Sequence, residues 1–195
     1  LIKEDIYKNI EDQLLTSASV KKKIYDECST SIFKAAKLIT EVLMEGGKLM
    51  FCGNGGSAAD SQHLAAEFLV KLNFDRDALP AIALTTDTSI LTAAANDFDF
   101  TRIFVRQLEA LANEKDLLIG ISTSGNSGNV IEAINYCKER GIKNIGMTGK
   151  SGGQIARLVE LAIKVPSNNV QRIQEGHITI GHILVDIVEK NLFAD

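Results

Sequence analysis

Five short apolar stretches, each followed by a segment of helical spacing or by the next turn, constrain this chain more than any other feature of its sequence. They lie at residues 48–52, 81–84, 116–122, 144–148 and 161–165, with helical patterns at 57–72, 89–112, 129–140, 154–158 and 171–192. Parallel strands cannot be joined by a tight turn; the crossover needs about a dozen residues and is usually a helix. The alternation therefore predicts an α/β fold, a three-layer sandwich with a five-stranded parallel sheet covered on both faces. In such sheets ligands bind at the carboxyl ends of the strands.

Ahead of this core, Ile2, Ile6, Ile10 and Leu14 recur every four positions, and Ile24, Cys28, Ile32, Ile39 and Leu43 carry a second stripe to Gly46-Gly47. The pattern predicts two N-terminal helices over 1–46, an extension before the α/β core of 47–195, with its apolar stripe meeting another subunit. At 195 residues the whole is expected to be one domain. With 45% hydrophobic and 24% charged residues it is no disordered chain. A net charge of −4 supplies no general attraction to nucleic acid or an anionic membrane. No apolar run approaches the roughly 18 residues of a membrane span. The start, LIKEDIYKNIEDQ, is too acidic and polar for a signal peptide, so a soluble cytoplasmic protein is expected. Cys28, Cys52 and Cys137 are odd in number and widely spaced, which suggests neither a disulfide framework nor a thiolate zinc site.

Two small-residue loops sit at predicted strand ends. The first, Gly53-Asn54-Gly55-Gly56-Ser57, allows close backbone approach at a helix start, where N–H groups can meet an anion or a sugar hydroxyl. Gly53, Gly55 and Ala58 also satisfy the dinucleotide pattern GxGxxA, but the acidic partner about 20 positions on is missing, because the second strand ends later, at Thr85-Thr86-Asp87. The second loop, Ser122-Thr123-Ser124-Gly125-Asn126-Ser127-Gly128-Asn129, offers four hydroxyls and a helix N-terminus. Helix capping accounts for one or two of these hydroxyls and a phosphate cradle accounts for all. With no GxxxxGK[ST] present, a phosphorylated small molecule is expected rather than ATP.

The three histidines fall in two places. His63 and Glu67 are four apart on one helix face, which makes half of a mixed nitrogen and oxygen metal site. The last helix offers Gln174, Glu175, His177 and His182. At 100° per residue Gln174 and His182 are about 80° apart and His177 and His182 about 140°, so both histidines cannot easily face one ion. The geometry favours Gln174 with either histidine; zinc suits such a set best, and Mn, Co or Ni are chemically possible.

GNGGSAADSQHLAAE (53–67), LPAIALTTDTS (79–89), AND (95–97), ISTSGNSGNV (121–130) and RIQEGHITIGHILVDIVE (172–189) together resemble the phosphoheptose isomerases of the sugar isomerase (SIS) domain superfamily, over essentially the whole chain. The resemblance implies a flavodoxin-like sandwich assembled as a homotetramer. It implies one zinc ion per subunit on His63, Glu67, Gln174 and His182, with Glu67 and His182 catalytic. It places Asn54, Gly55, Gly56, Ser57, Glu67, Asn96, Asp97, Ser122, Thr123, Ser124, Ser127 and Gln174 at the substrate. Lys71 stands where an Arg is expected. The implied reaction turns the ketose sedoheptulose 7-phosphate into D-glycero-D-manno-heptose 7-phosphate, at the start of the bacterial ADP- and GDP-heptose pathways to lipopolysaccharide or capsule. Two rivals are a non-catalytic relative that binds the replication initiator and a dinucleotide-dependent oxidoreductase. Retention of Glu67 and His182 argues for the isomerase.

Overall fold

The computed structural model describes residues 3–193; Ile2, at the head of the first stripe, lies outside them. Helix α1 (Lys3–Met44) leads into strand β1 (Leu49–Gly53), α2 (Gly56–Leu69) and β2 (Ala81–Ala83). Helices α3 (Thr88–Asp97) and α4 (Val105–Leu111) precede β3 (Leu117–Ser122), α5 (Gly128–Glu139) and β4 (Lys143–Thr148). A single turn of helix, α6 (Ile155–Leu158), β5 (Leu161–Lys164) and α7 (Val170–Phe193) complete the chain. The five strands are all parallel, in the order β2-β1-β3-β4-β5. The expected sandwich is present, and its order reverses between β1 and β3, which puts the topological switch point at the two small-residue loops.

Alternation along each strand builds the layers. Leu49 and Phe51 of β1, with Leu117, Ile119 and Ile121 of β3, pack against α1, α2 and α7. Met50, Cys52 and Leu118 face the other way, onto α3, α4 and α5. On that second face Gly120 and Gly146 are paired across β3 and β4. A Cβ there would lie 2.8 Å from Val130 and 2.5 Å from Ile155, so these glycines admit α5 and α6 against the sheet. All three cysteines are free and buried, and burial pushes the Cys137 thiol up to about 12, in keeping with packing roles. No helix of the described residues is long and apolar enough to cross a membrane.

Two local expectations are corrected. The N-terminal region is one helix of 42 residues and not two. Leu14 and Ile24 are ten positions apart, about 80° out of phase, so the apolar stripe turns around the helix while the backbone continues. Thr16–Ser19 contain neither Gly nor Pro to stop it. Burial along α1 begins at Val20, and Ile6, Ile10 and Leu14 are exposed. The stretch 89–112 is in turn broken into α3, a 3₁₀ turn at Phe100–Arg102 and α4. Asp99 is extended and its carboxylate accepts the Thr101 N–H at 2.7 Å, a cap that starts the new turn.

Candidate active site

The glycine loop follows β1 at the switch point. Gly55 has φ of 55°, which an L side chain rarely adopts, and it caps α2. A Cβ on Gly56 would lie 2.3 Å from Gln174 Nε2, so the bare backbone lets the α7 amide lie over the start of α2. Ser57, by contrast, is buried.

The hydroxyl loop follows β3. Ser122 Oγ lies 2.8 Å from Ser127 Oγ and 3.4 Å from Ser124 Oγ, and Thr123 is half-buried beside them. The loop is pinned from behind: Gly149 N–H donates to Thr123 O and Ile155 N–H to Gly125 O, each at 3.0 Å. A cleft of about 340 Å³ opens next to it, lined by Thr123, Ser124, Asn126, Lys150, Ser167 and Asn168. Three strand ends meet here, as the sheet rule requires. Lys150 adds a cation that the loop sequence alone did not announce.

Asn129 was missed as a site residue. Asn54 Nδ2 donates to Asn129 Oδ1 at 2.9 Å and Asn129 Nδ2 donates back to Asn54 Oδ1 at 2.8 Å. This reciprocal amide pair bridges the switch point and ties the glycine loop to the hydroxyl loop. It also occupies the Asn54 side chain, which leaves the loop backbone as the group that faces a ligand. Asn96 and Asp97 are exposed at the end of α3, with the amide donating to the carboxylate at 2.8 Å.

Helices α2 and α7 run side by side because Gly181 has no side chain: a Cβ there would lie 2.4 Å from Leu64. This close approach brings His63 Nε2 to 2.9 Å from His182 Nε2, and Glu67 Oε1 to 3.3 Å from His63 Nε2. Donor atoms of all three residues lie within 4.8 Å of one another. Two atoms each about 2.1 Å from one zinc ion can be at most about 4.2 Å apart, so the two measured separations fit a shared ion, as does the nitrogen and carboxylate donor set. Gln174 stands toward the glycine loop, at Gly56, which precedes His63 by about 10 Å of helix rise. Three of the four expected ligands thus converge within one chain. Lys71, one turn past Glu67, is paired with Asp75.

His177 has the other fate that the helix geometry allowed. It is fully buried, its Nε2–H donates to Thr148 O at 3.1 Å, and Nδ1 has no partner. Burial lowers its pKa to about 4, against an opposing contribution from the Thr148 hydrogen bond. The folded value lies below the unfolded one of about 6.5, so the unfolded chain takes the proton first as pH falls. Stability from this group is complete above about pH 6.5 and is lost toward pH 4, by about 2.5 kcal/mol at pH 4.5. Urea unfolding of chelated protein at pH 7 and 4.5 should show a fall smaller by that amount in His177→Gln. A ring titrating near pH 6.5 by NMR in the folded wild type would contradict it.

Residues 15–149 match the model of the SIS domain family. The phosphoheptose isomerase of Aneurinibacillus thermoaerophilus is 50% identical over 188 residues, which is 95% of each chain. That of Geobacter sulfurreducens is 52% identical over 185 residues, 95% of this chain and 98% of the relative. The solved structure of a phosphoheptose isomerase from Neisseria gonorrhoeae aligns with a TM-score of 0.89 at 40% identity, over 95% of this chain and 99% of that one. A phosphoheptose isomerase structure from Francisella tularensis gives 0.91 at 36%, over 94% and 98%.

Proposed function

Because the chain belongs to the SIS domain family and to its phosphoheptose isomerases, we propose that this isomerase converts sedoheptulose 7-phosphate into D-glycero-D-manno-heptose 7-phosphate through an enediol. The observation that carries the reading is the convergence of Glu67 and His182 with His63, from two helices held in contact. Ketose-to-aldose conversion needs a base at C1, an acid, and stabilisation of negative charge on oxygen.

In this reading Glu67 takes the C1 proton and His182 is the acid that supplies a proton as C2 is reprotonated. Zinc held by His63, Glu67 and His182 would polarise the carbonyl and steady the developing oxyanion. Ser122, Thr123, Ser124 and Ser127 hold the phosphate with their hydroxyls and the N–H groups at the start of α5, and the dipole of that helix favours the anion. The backbone of Asn54, Gly55 and Gly56 and the Gln174 amide face the sugar from the glycine-loop side, with Ser57 buried behind them, and Asn96 and Asp97 contact it from α3. The chain works as one SIS domain in the cytoplasm. The exposed stripe of α1 at Ile6, Ile10 and Leu14 packs on other copies in a homotetramer.

The test is to incubate purified protein with sedoheptulose 7-phosphate and zinc and to detect the aldose phosphate. Sustained turnover is expected. A folded, zinc-loaded protein that forms no aldose would overturn the reading, and tight capture of a replication initiator by such a protein would establish the non-catalytic rival.

A further inference from the structure

Beyond the ligand cluster, the far end of α2 is held by a single buried guanidinium. Arg76 Nη2 donates to Glu67 O at 2.8 Å, and Nη1 to Phe68 O at 2.7 Å and to Asp77 O at 3.0 Å. Its Nε donates to Glu189 Oε1 at 2.9 Å. The side chains of Arg76 and Glu189 are 1% and 0% exposed. Glu189 also accepts the Leu72 N–H at 2.8 Å and the Asn73 N–H at 3.2 Å. The carbonyl of Glu67, otherwise open in the last turn of α2, is thereby satisfied, Phe68 O gains a second donor beside the Leu79 N–H at 3.1 Å, and the buried charge is fully paired.

The placement matters because Glu189 and His182 are seven positions apart on α7, two turns along nearly the same face. That face of α7 meets α2 twice: His182 touches His63, and Glu189 holds the arginine that grips the backbone of Glu67. We propose that Arg76, clamped by Glu189, is a positioning residue that sets the spacing of α2 and α7 and so aims Glu67 at the His63 and His182 nitrogens. A buried ion pair is often no more stabilising than an apolar pair of similar volume, so stability alone does not account for it. The clamp acts on the site through the Glu67 backbone and never meets substrate. It rests on the reading of His63, Glu67 and His182 as a metal site.

Two variants test it. Arg76→Lys keeps the charge but has three donors on a single nitrogen, too few and too close together for the three carbonyls and the carboxylate that the guanidinium serves. The double variant Arg76→Met with Glu189→Met puts an apolar pair of similar bulk in place of the ion pair and leaves no unpaired charge. Zinc affinity of the metal-free protein, by competition with a chelating dye, should fall about 10- to 100-fold in both, the range for residues that orient metal ligands. The value of kcat should fall about tenfold or more, with KM changed less than threefold. Wild-type zinc affinity and kcat in variants that melt at a lower temperature would make the pair merely structural and overturn the proposal. Wild-type protein that binds no zinc would remove the metal reading itself, and the clamp's purpose with it.

Discussion

Glu67→Gln is expected to lower kcat by at least about a hundredfold with the fold intact. The amide has nearly the shape of the carboxylate, and Glu67 is a partly exposed side chain whose ion-pair contact is the neighbouring His63. Packing therefore loses little. Chemistry loses much: an amide does not accept the C1 proton at neutral pH, and the charged oxygen of the candidate metal site is gone. Steady-state kinetics on the variant, with unfolding by heat as the control for folding, checks both halves. A kcat within a fewfold of wild type would remove Glu67 from the role of base.

His182→Gln should cost a similar factor for a different reason. Its Nε2 is the one atom of α7 seen against His63 at hydrogen-bond distance, so its loss takes away the proposed acid and opens the cluster on the α7 side. The two substitutions act on one machine. The double variant Glu67→Gln with His182→Gln should be little slower than either single one, since groups that work as a unit are strongly non-additive. Independent, multiplying losses in the double variant would mean that the two side chains serve separate steps. His177→Gln separates site from scaffold on the same helix, because it should change the pH dependence of stability and leave the acid and base in place.

Local patterns were legible and long-range pairings were not. The strands could be read because each is a short apolar run, with β1, β3 and β4 ended by glycine, serine and threonine, and β1 and β3 end directly in their loops. His63 and Glu67 could be read as one face because four positions nearly complete a helical turn. Choosing between His177 and His182 needed either the family resemblance or the packing of Gly181 on Leu64, which turns His182 toward α2. Asn54 and Asn129 lie 75 positions apart, and Arg76 and Glu189 lie 113 apart. Nothing in the neighbourhood of either residue marks it as half of a buried pair. The single α1 failed to show for another reason, since a stripe that changes phase looks like a helix boundary when only its periodicity is followed.

The most direct test compares one purified sample in two states: loaded with zinc, and stripped by a chelator with metal removal verified by elemental analysis. Turnover of sedoheptulose 7-phosphate should be present in the loaded protein, fall by about a hundredfold or more on stripping, and return when zinc is restored. Equal turnover in the loaded and the verified metal-free protein would contradict the account.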